Sequence, residues 1–301
     1  MALNILRRWK QRRLTVNVWA QEYRDIVVSW HLTPKTLANR LNCLRHATDH
    51  IGNQRLVEVR PADIARMVTD IWSSGRHFTA RRVLYEAESL FEQAILAGII
   101  DRNPATPVKS PPAPVARSRL TFENWQTIQQ WAAEHSQPWF AYALRLALVT
   151  GQRRADLVAM QHHHIQGDHL RVHQQKTGAR IALPLDLHLD ALKIDLRGII
   201  QESNDYRHPG SYLLRKGNGA PLGAASLSAK FAEARDSALA QHDWGERSPP
   251  TFHEIRSLSE RLYRGQGIDT KTLLGHKRQS MTDQYNDDRG LSADDWTHLT
   301  L

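Results

Sequence analysis

The sequence contains one cysteine, Cys43, among 301 residues, and it has no apolar run of the roughly 18 residues that a membrane helix needs. A single cysteine excludes an intramolecular disulfide and favours a reducing compartment, where we expect Cys43 to pack in a helix. The best apolar stretches, residues 94–100 and 140–150, are short or interrupted by Arg145. The basic N-terminus has no apolar segment behind it, so we expect no secretory signal.

Acidic residues are scarce in the first part of the chain. Residues 1–119 hold 19 Lys and Arg against 10 Asp and Glu, whereas residues 120–301 hold 21 of each, so the net charge of +9 belongs entirely to the first part. A basic segment of folded length is typical of proteins that bind polyanions, and nucleic acid is the commonest such partner. The hydrophobic content of 41% and charged content of 24% are those of an ordinary globular protein.

Four helical patterns occupy the basic first part. Apolar residues recur at helical spacing in residues 16–30, 33–52, 61–75 and 79–96. Thr33 before Pro34 is a typical helix start, because threonine caps the first turn and proline is favoured inside it. The patterns predict a small helical domain over residues 1–100.

Residues 101–119 form a predicted linker, because five prolines there remove backbone donors and disfavour a helix. Residues 120–301 form a second predicted domain, in which Thr121 is an expected N-cap. Helices are predicted over residues 122–133, 138–149, 187–201, 226–239, 253–263, 270–274 and 279–285. Residues 170–185 alternate in polarity on both sides of Lys176-Thr177-Gly178, which predicts an antiparallel hairpin.

Cations that suit a phosphate group are spread over the second domain. Arg153 follows Gly151 at an expected helix start, where the helix dipole favours an anion. Lys176 lies in the predicted hairpin turn. His253 and Arg256 are three residues apart, so they share one face of a helix. Each motif alone more often belongs to a polar surface than to a site.

The set is completed by His276 in the segment LLGHK and by Tyr285, nine residues later. The sequence near these residues contains no Walker loop and no acidic metal cluster. Positioned cations can stabilise phosphoryl transfer without a metal, and tyrosine can form a covalent intermediate.

Four segments carry these residues: TGQRRADL at 150–157, QQKTGARIALP at 174–184, PPTFHEIRSLSERLY at 249–263 and LLGHKRQSMTDQYNDDRG at 273–290. In them the chain resembles the tyrosine recombinase (phage integrase) family, and most nearly its lambda-type members. The resemblance implies a mainly α-helical fold of two domains. The first is a four-helix core-binding domain, and the second is a helical catalytic domain with a small antiparallel β-sheet.

The resemblance also implies roles for the site residues. Tyr285 would attack the scissile phosphate of DNA, forming a 3′-phosphotyrosine and releasing a 5′-hydroxyl. Arg153 and Arg256 would clamp the non-bridging oxygens, for which the planar fork of arginine is suited. Lys176 would protonate the leaving oxygen.

Two histidines would assist this chemistry. His253 would serve proton transfer at the tyrosine, and His276 would hydrogen-bond the phosphate. Asp156 would orient an arginine. The energy of the cut bond stays in the phosphotyrosine, so the reaction implied needs no ATP, no metal and no cofactor.

The implied activity is site-specific recombination through a Holliday junction, either for phage or mobile-element integration and excision or for simple resolution or inversion. The implied partners are double-stranded DNA with core-type sites and a homotetramer on two such sites, with accessory DNA-bending proteins as further candidates and no membrane. We expect the protein to act on DNA in the bacterial cytoplasm. Residues 286–301, the tail after Tyr285, are expected to pack on a neighbouring protomer.

Two other functions use overlapping features. One is a nicking-closing enzyme like a type IB topoisomerase, and the other is a catalytically degenerate DNA-binding regulator. The complete set of six residues disfavours the regulator. The arm-binding domain of lambda-type integrases has no counterpart here, so we expect a short recombinase or a trimmed chain. The run His162-His163-His164 is interpreted as a polar helix end rather than a metal site.

Overall fold

The computed structural model describes residues 13–113, 117–205 and 210–285. Its contacts divide the chain into two compact units, with residues 13–113 in the first and the remaining described residues in the second. No helix in these three ranges combines the length and the apolar composition that a membrane crossing requires.

The first unit is a four-helix domain. Its helices are α1 (Val16–Ser29), α2 (Pro34–Ile51), α3 (Pro61–Ser73) and α4 (His77–Leu96). Thr33 caps α2 by accepting a hydrogen bond from the backbone N–H of Thr36, and Pro34 is its first residue, as the sequence predicts. Helix α4 begins at His77, two residues before the expected start.

One apolar core holds these helices together. It includes Trp19, whose indole N–H donates to the carbonyl of Leu90, and it includes the buried Cys43 of α2. The chain after α4 packs on the same core, since Ala105 is buried in it and Trp72 donates to the carbonyl of Pro112. The first part of the predicted linker is therefore folded against the first unit.

The second unit combines helices with two small antiparallel sheets. Its helices are α5 (Phe122–His135), α6 (Pro138–Thr150), α7 (Arg154–Ala159), α8 (Leu196–Glu202), α9 (Ala224–Ala238), α10 (Glu254–Gly265), α11 (Thr270–Leu274) and α12 (Gln279–Asp283). Its strands are β1 (Ile165–Gln166), β2 (His169–His173), β3 (Arg180–Pro184), β4 (His188–Leu189) and β5 (Ile194–Asp195).

Helix α6 is the centre of the second unit, and all but two of its thirteen residues are buried. It contacts α5, α8 and α10, so its apolar surface is covered on several sides. Thr121 caps α5 as predicted, by accepting a hydrogen bond from the backbone N–H of Asn124. Because α6 is packed on several sides, the position of the turn at Gly151 that follows it is well defined.

The predicted hairpin is confirmed, with β2 and β3 paired and β1 added at the other edge of β2. The predicted helix over residues 187–201 is wrong in its first half. Strands β4 and β5 pair there, and the helix begins only at Leu196, because Asp195 caps it by accepting from the N–H of Gly198. Lys193, with a φ of 53°, makes the reversal between the two strands.

His162–His164 forms a separate 3₁₀ turn and does not end a helix, since α7 stops earlier, at Ala159. Among the described residues, no group of three or more His, Cys, Asp or Glu side chains is placed to hold a metal ion. The predicted fold class, mainly α-helical with two domains and a small antiparallel sheet in the second, is confirmed.

Candidate active site

Two glycine turns bring the site's segments together. Gly151 ends α6 and Gly275 ends α11, both in the left-handed conformation, with φ of 62° and 63°. A Cβ on Gly151 would lie 2.9 Å from the hydroxyl of Ser259, and one on Gly275 would lie 2.7 Å from Ile181. Glycine is therefore required at both turns by backbone conformation and by close packing.

Arg256 is the buried centre of the site, with 1% of its surface exposed. Its guanidinium donates to the carbonyl of Gly151 at 2.7 Å and to that of Leu274 at 2.6 Å. The side chain thereby ties α10 to both glycine turns. Burial, and then the positive charge of Arg153, lower the pKa of Arg256 to about 10, so it remains a cation at neutral pH.

Arg153 is the N-cap residue of α7, directly after the first glycine turn. Its guanidinium donates to the side-chain oxygen of Gln174 at 2.7 Å. Gln174 is fully buried, and its amide donates in turn to the side chain of Gln152 and to the carbonyl of Leu274. This amide network fixes an arginine without placing a negative charge beside it.

His276 is buried next to Arg256. Arg256 approaches its Nε2 at 3.2 Å, and Thr282 lies 3.0 Å from its Nδ1. An arginine can only donate, so Nε2 is the acceptor and we assign the ring proton to Nδ1, which donates to the hydroxyl of Thr282. Burial and then the charge of Arg256 lower the pKa of His276 to about 4, which keeps the ring neutral at physiological pH.

Tyr285 lies across this cluster. Its hydroxyl is 3.4 Å from Nε2 of His253, and its ring is 5.3 Å from that of His276. The guanidinium carbon of Arg256 is 5.7 Å from the centre of the tyrosine ring. The hydroxyl of Tyr285 thus faces the nitrogen acceptor of His253, and the guanidinium of Arg256 lies near the tyrosine ring.

His253 precedes α10 and is partly exposed. Desolvation, followed by the charges of Arg256, Arg153 and Lys176, lowers the pKa of its ring to about 4. Water offsets part of this effect because the ring is exposed, but desolvation and the three cations all lower the pKa. A neutral His253 can accept the proton of the Tyr285 hydroxyl.

Lys176 is exposed in the turn between β2 and β3. Residues 174–179 close that turn through backbone hydrogen bonds between Gln174 and both Gly178 and Ala179. Five of the six predicted site residues are linked by hydrogen bonds or ring contacts, directly or through Gln174. Lys176 acts on them only through its charge, which contributes to the lowered pKa of His253.

The site holds an excess of positive charge. In the described ranges, no carboxylate forms an ion pair with Arg153, Lys176 or Arg256. Asp156 was expected to orient an arginine, but none of the described arginines donates to it. Its Oδ1 instead accepts the backbone N–H of Gln175 at 2.9 Å, which ties α7 to the hairpin turn. An uncompensated cluster of this kind suits an anion such as a phosphodiester.

Sequence reasoning missed several residues of the site. Gln152, Gln174 and Thr282 hold its catalytic candidates, yet buried amides and hydroxyls leave no distinctive pattern in a sequence. It also missed Arg119, a buried residue whose guanidinium pairs with Glu254 at 3.0 Å beside His253. The sequence offered one signal for this ion pair, namely the position of Glu254 between His253 and Arg256 in the HEIR motif.

The family comparison covers most of the chain. The profile of the phage integrase family matches residues 118–290, and that of the phage integrase central domain matches residues 16–111.

Named relatives are similar over nearly the whole chain. The prophage integrase IntE of Escherichia coli (strain K12) is 37% identical, with 97% of this chain and 80% of the relative covered. The integrase of Enterobacteria phage P21 is also 37% identical, with 95% and 78% covered.

Two solved structures are similar to the chain over most of its length. A lambda integrase dimer bound to a COC′ core site matches with a TM-score of 0.88 at 32% identity, covering 97% of this chain and 82% of that one. A lambda integrase tetramer bound to a Holliday junction matches with a TM-score of 0.87 at 32% identity, covering 96% and 81%. The chain therefore belongs to the phage integrase family, and it is a tyrosine-type site-specific DNA recombinase.

Proposed function

We propose that Tyr285 is the nucleophile of this recombinase and that its hydroxyl attacks a scissile phosphate of DNA. The observation that carries the proposal is the position of that hydroxyl, 3.4 Å from a neutral His253 and beside Arg256. The oxygen–phosphorus bond forms as the bond to the 5′-oxygen breaks. The products are a 3′-phosphotyrosine and a free 5′-hydroxyl.

The other five residues of the site divide the remaining work. His253 accepts the proton from Tyr285, while Arg153 and Arg256 stabilise the charge on the non-bridging oxygens. His276 contributes a hydrogen bond to the phosphate once its present contacts with Arg256 and Thr282 have rearranged. Lys176, on its exposed turn, donates a proton to the leaving 5′-oxygen.

Strand exchange follows from the reverse reaction. The 5′-hydroxyl of a second strand attacks the phosphotyrosine and releases the tyrosine. Two such exchanges, one on each duplex, give a Holliday junction, and two more resolve it into recombinant duplexes. Because the phosphotyrosine retains the energy of the cut bond, the cycle requires neither ATP nor a metal. Its use is integration and excision of a phage or mobile element, or resolution or inversion of a segment.

The partners proposed are core-type sites in double-stranded DNA and three further copies of the chain. The likeness to lambda integrase structures on a core site and on a Holliday junction supports both. DNA-bending proteins would assist. The basic first unit supplies phosphate contacts, so binding should weaken steeply with salt. We place the protein in the bacterial cytoplasm, on DNA.

Relaxation of a supercoiled plasmid tests the nucleophile. The protein is incubated with plasmid in EDTA and quenched with SDS, beside Tyr285→Phe and the matched control Tyr212→Phe. We expect relaxed circles and protein-linked DNA with the native chain and the control, and neither with Tyr285→Phe. Activity that survives in Tyr285→Phe would exclude Tyr285 as the nucleophile.

Sequencing of the protein-linked DNA then identifies the cleaved site. Two copies of that site on one plasmid distinguish a recombinase, which yields deletion or inversion products, from a topoisomerase-like enzyme, which yields only relaxed circles. Salt-sensitive DNA binding without either product indicates a regulator.

Sulfur substitution tests Lys176. A DNA site whose scissile 5′-oxygen is replaced by sulfur releases a thiolate, which needs no proton to leave. Lys176→Ala should cleave this substrate nearly as fast as the native chain and cleave ordinary DNA much more slowly. Equal loss on both substrates would contradict the role of Lys176 as the acid.

A further inference from the structure

The segment that carries Tyr285 has almost no apolar core of its own. Helix α12 (Gln279–Asp283) has five residues, and Thr282 is its one buried residue. The neighbouring Asp283 and Gln284 are exposed. A segment with so little buried surface depends on polar contacts for its position.

Arg119 supplies one of these contacts. It is 3% exposed and pairs with the buried Glu254 at 3.0 Å. A second nitrogen of the same guanidinium donates to the backbone carbonyl of Gln284, the residue before the nucleophile. Arg119 therefore joins the segment of Tyr285 to the N-terminus of α10, where His253 lies.

Ser257 holds the next peptide group. Its hydroxyl donates to the carbonyl of Tyr285 at 3.0 Å. Arg261, one turn later on α10, donates to that hydroxyl at 3.3 Å and to the carbonyl of Leu120 at 2.6 Å. Two successive carbonyls, of Gln284 and Tyr285, are thus fixed from the same helix and the chain beside it.

Stability alone is a poor explanation for this arrangement. Removing two charges from water is costly, and an apolar pair of similar volume is often as stable as a buried ion pair. The pair of Arg119 and Glu254 adds direction, since the guanidinium fork fixes the angle at which it meets the Gln284 carbonyl.

We propose that Arg119 is a positioning residue for the nucleophile, assisted by Ser257. The inference rests on the proposed role of Tyr285. Through Glu254 and the carbonyl of Gln284, Arg119 holds the tyrosine hydroxyl next to His253 before the phosphate is attacked. Arg119 itself touches neither the hydroxyl nor the phosphate.

Cleavage and ligation should respond differently to the loss of this contact. Before cleavage, the tyrosine must be brought to the phosphate, and a displacement of about 1 Å can cost about 10²-fold in rate. After cleavage, the phosphotyrosine bond itself holds the residue at the DNA. Ligation by a 5′-hydroxyl should therefore proceed at nearly the native rate.

The test uses a duplex that carries the site recovered from protein-linked DNA, with a nick close to the scissile phosphate on the 5′-hydroxyl side. The short fragment diffuses away after cleavage, so the covalent complex accumulates and its rate of formation is measured. Addition of a 5′-hydroxyl oligonucleotide then gives the ligation rate. The final amount of complex gives the active fraction.

The variants are Arg119→Gln, Arg119→Lys and the double variant Arg119→Gln with Glu254→Gln, which leaves no unpaired buried charge. Arg197→Ala is the matched control, because it removes an exposed ion pair to Asp168 in the same unit. We expect cleavage about 10²-fold slower in both glutamine variants and partly restored in Arg119→Lys, with ligation and active fraction unchanged.

Three outcomes would overturn the inference. Native cleavage rates in the Arg119 variants would show that the contact is dispensable. Equal slowing of cleavage and ligation would assign Arg119 to the chemistry and not to positioning. A smaller active fraction with native rate constants would assign it to folding. If the native chain forms no covalent complex, the proposed function fails first and this inference fails with it.

Discussion

An arginine and a tyrosine meet in each of the two units, and the two clusters differ in their charge balance. In the first unit, Arg40 donates to the Tyr23 hydroxyl at 2.7 Å and to Glu86 at 3.1 Å, and Tyr23 donates to the same carboxylate. The guanidinium also lies 4.6 Å from the ring of Trp30. Every charge in this cluster has a partner of opposite sign.

Among the described residues, no carboxylate forms an ion pair with the arginines of the second unit's cluster, Arg153 and Arg256. Arg256 donates to two backbone carbonyls and faces a neutral His276, and Arg153 donates to an uncharged amide. The pKa values follow this contrast. The pKa of Arg40 is raised despite partial burial, with Glu86 the main favourable charge. That of Arg256 is lowered to about 10, first by its deeper burial and then by the charge of Arg153.

The comparison indicates two uses of the same side chains, one that is structural and one that suits the proposed function. A balanced cluster joins helices and has no charge left for a ligand. An unbalanced cluster has an excess of positive charge that a phosphate can neutralise. Backbone carbonyls hold the guanidinium of Arg256 in place before a phosphate binds.

The largest effect is expected from Arg256→Lys. Lysine keeps the charge but cannot reproduce the planar fork that holds both glycine turns and meets a phosphate. We expect cleavage of DNA to slow by about 10³-fold, measured as the rate of covalent complex formation. Binding at low salt should change little, so a parallel loss of binding would contradict the assignment of Arg256 to the transition state.

Glu86→Ala is expected to affect stability and not chemistry. It leaves Arg40 and Tyr23 without their carboxylate, which should cost about 3 kcal/mol in the free energy of unfolding of the first unit. Urea denaturation measures that loss, and Glu86→Leu combined with Arg40→Leu should recover much of it. A changed cleavage rate per folded molecule would contradict the purely structural role assigned to the cluster of the first unit.

Acid should weaken the second unit through His276. The pKa of this buried ring is about 4 when folded and about 6.5 when unfolded, so the unfolded state binds more protons between these values and stability falls as the pH decreases through that window. Between pH 8 and pH 5 we expect the free energy of unfolding to lose about 2 kcal/mol from this group. His276→Gln should show a correspondingly shallower dependence; an identical slope would refute the neutral buried ring.

The smallest effect tests the comparison most directly. Gln174→Glu would give the second cluster the carboxylate that the first possesses, because this side chain already accepts from Arg153. We expect cleavage to slow about tenfold, or roughly 1.4 kcal/mol, as the new charge competes with the phosphate. Gln174→Met, of similar size, distinguishes charge from lost hydrogen bonding, and a slower Met variant would favour the latter.

Much of the fold could be predicted from local pattern. Apolar spacing, the Thr33-Pro34 start and the Thr121 cap act within one turn, so they predict the helices that they begin. The helix predicted over residues 187–201 was wrong because β4 and β5 pair across a turn at Lys193. Apolar residues in such short strands also fit a helical period.

The site was predictable as a set of residue types but not as a geometry. The order of Arg153, Lys176, Arg256 and the later histidine and tyrosine is visible in the motifs. The roles assigned to them remain predictions. The contacts of Asp156 and the arrangement around Gln174 were not predictable, because hydrogen bonds between segments far apart in sequence leave no periodic signal.

The predictions for residues 286–301 lie outside the described residues, as does the basic N-terminus up to residue 12. The predicted exchange of the tail between protomers therefore stays a prediction. So do the domain limits at residues 100 and 119, although contacts place the described residues up to 113 in the first unit.

Residue types and their spacing are enough to predict most of the helices, the excess of positive charge in residues 1–119 and the family. The packing of distant segments sets which arginine of the two clusters pairs with a carboxylate among the described residues, and which groups hold Tyr285, the proposed nucleophile. Arg40 and Arg256 are the same residue type, and the sequence does not show their contacts. The fold places Glu86 beside Arg40 and backbone carbonyls beside Arg256. Charge balance depends on distances of a few ångströms between distant segments, and such distances are set by packing.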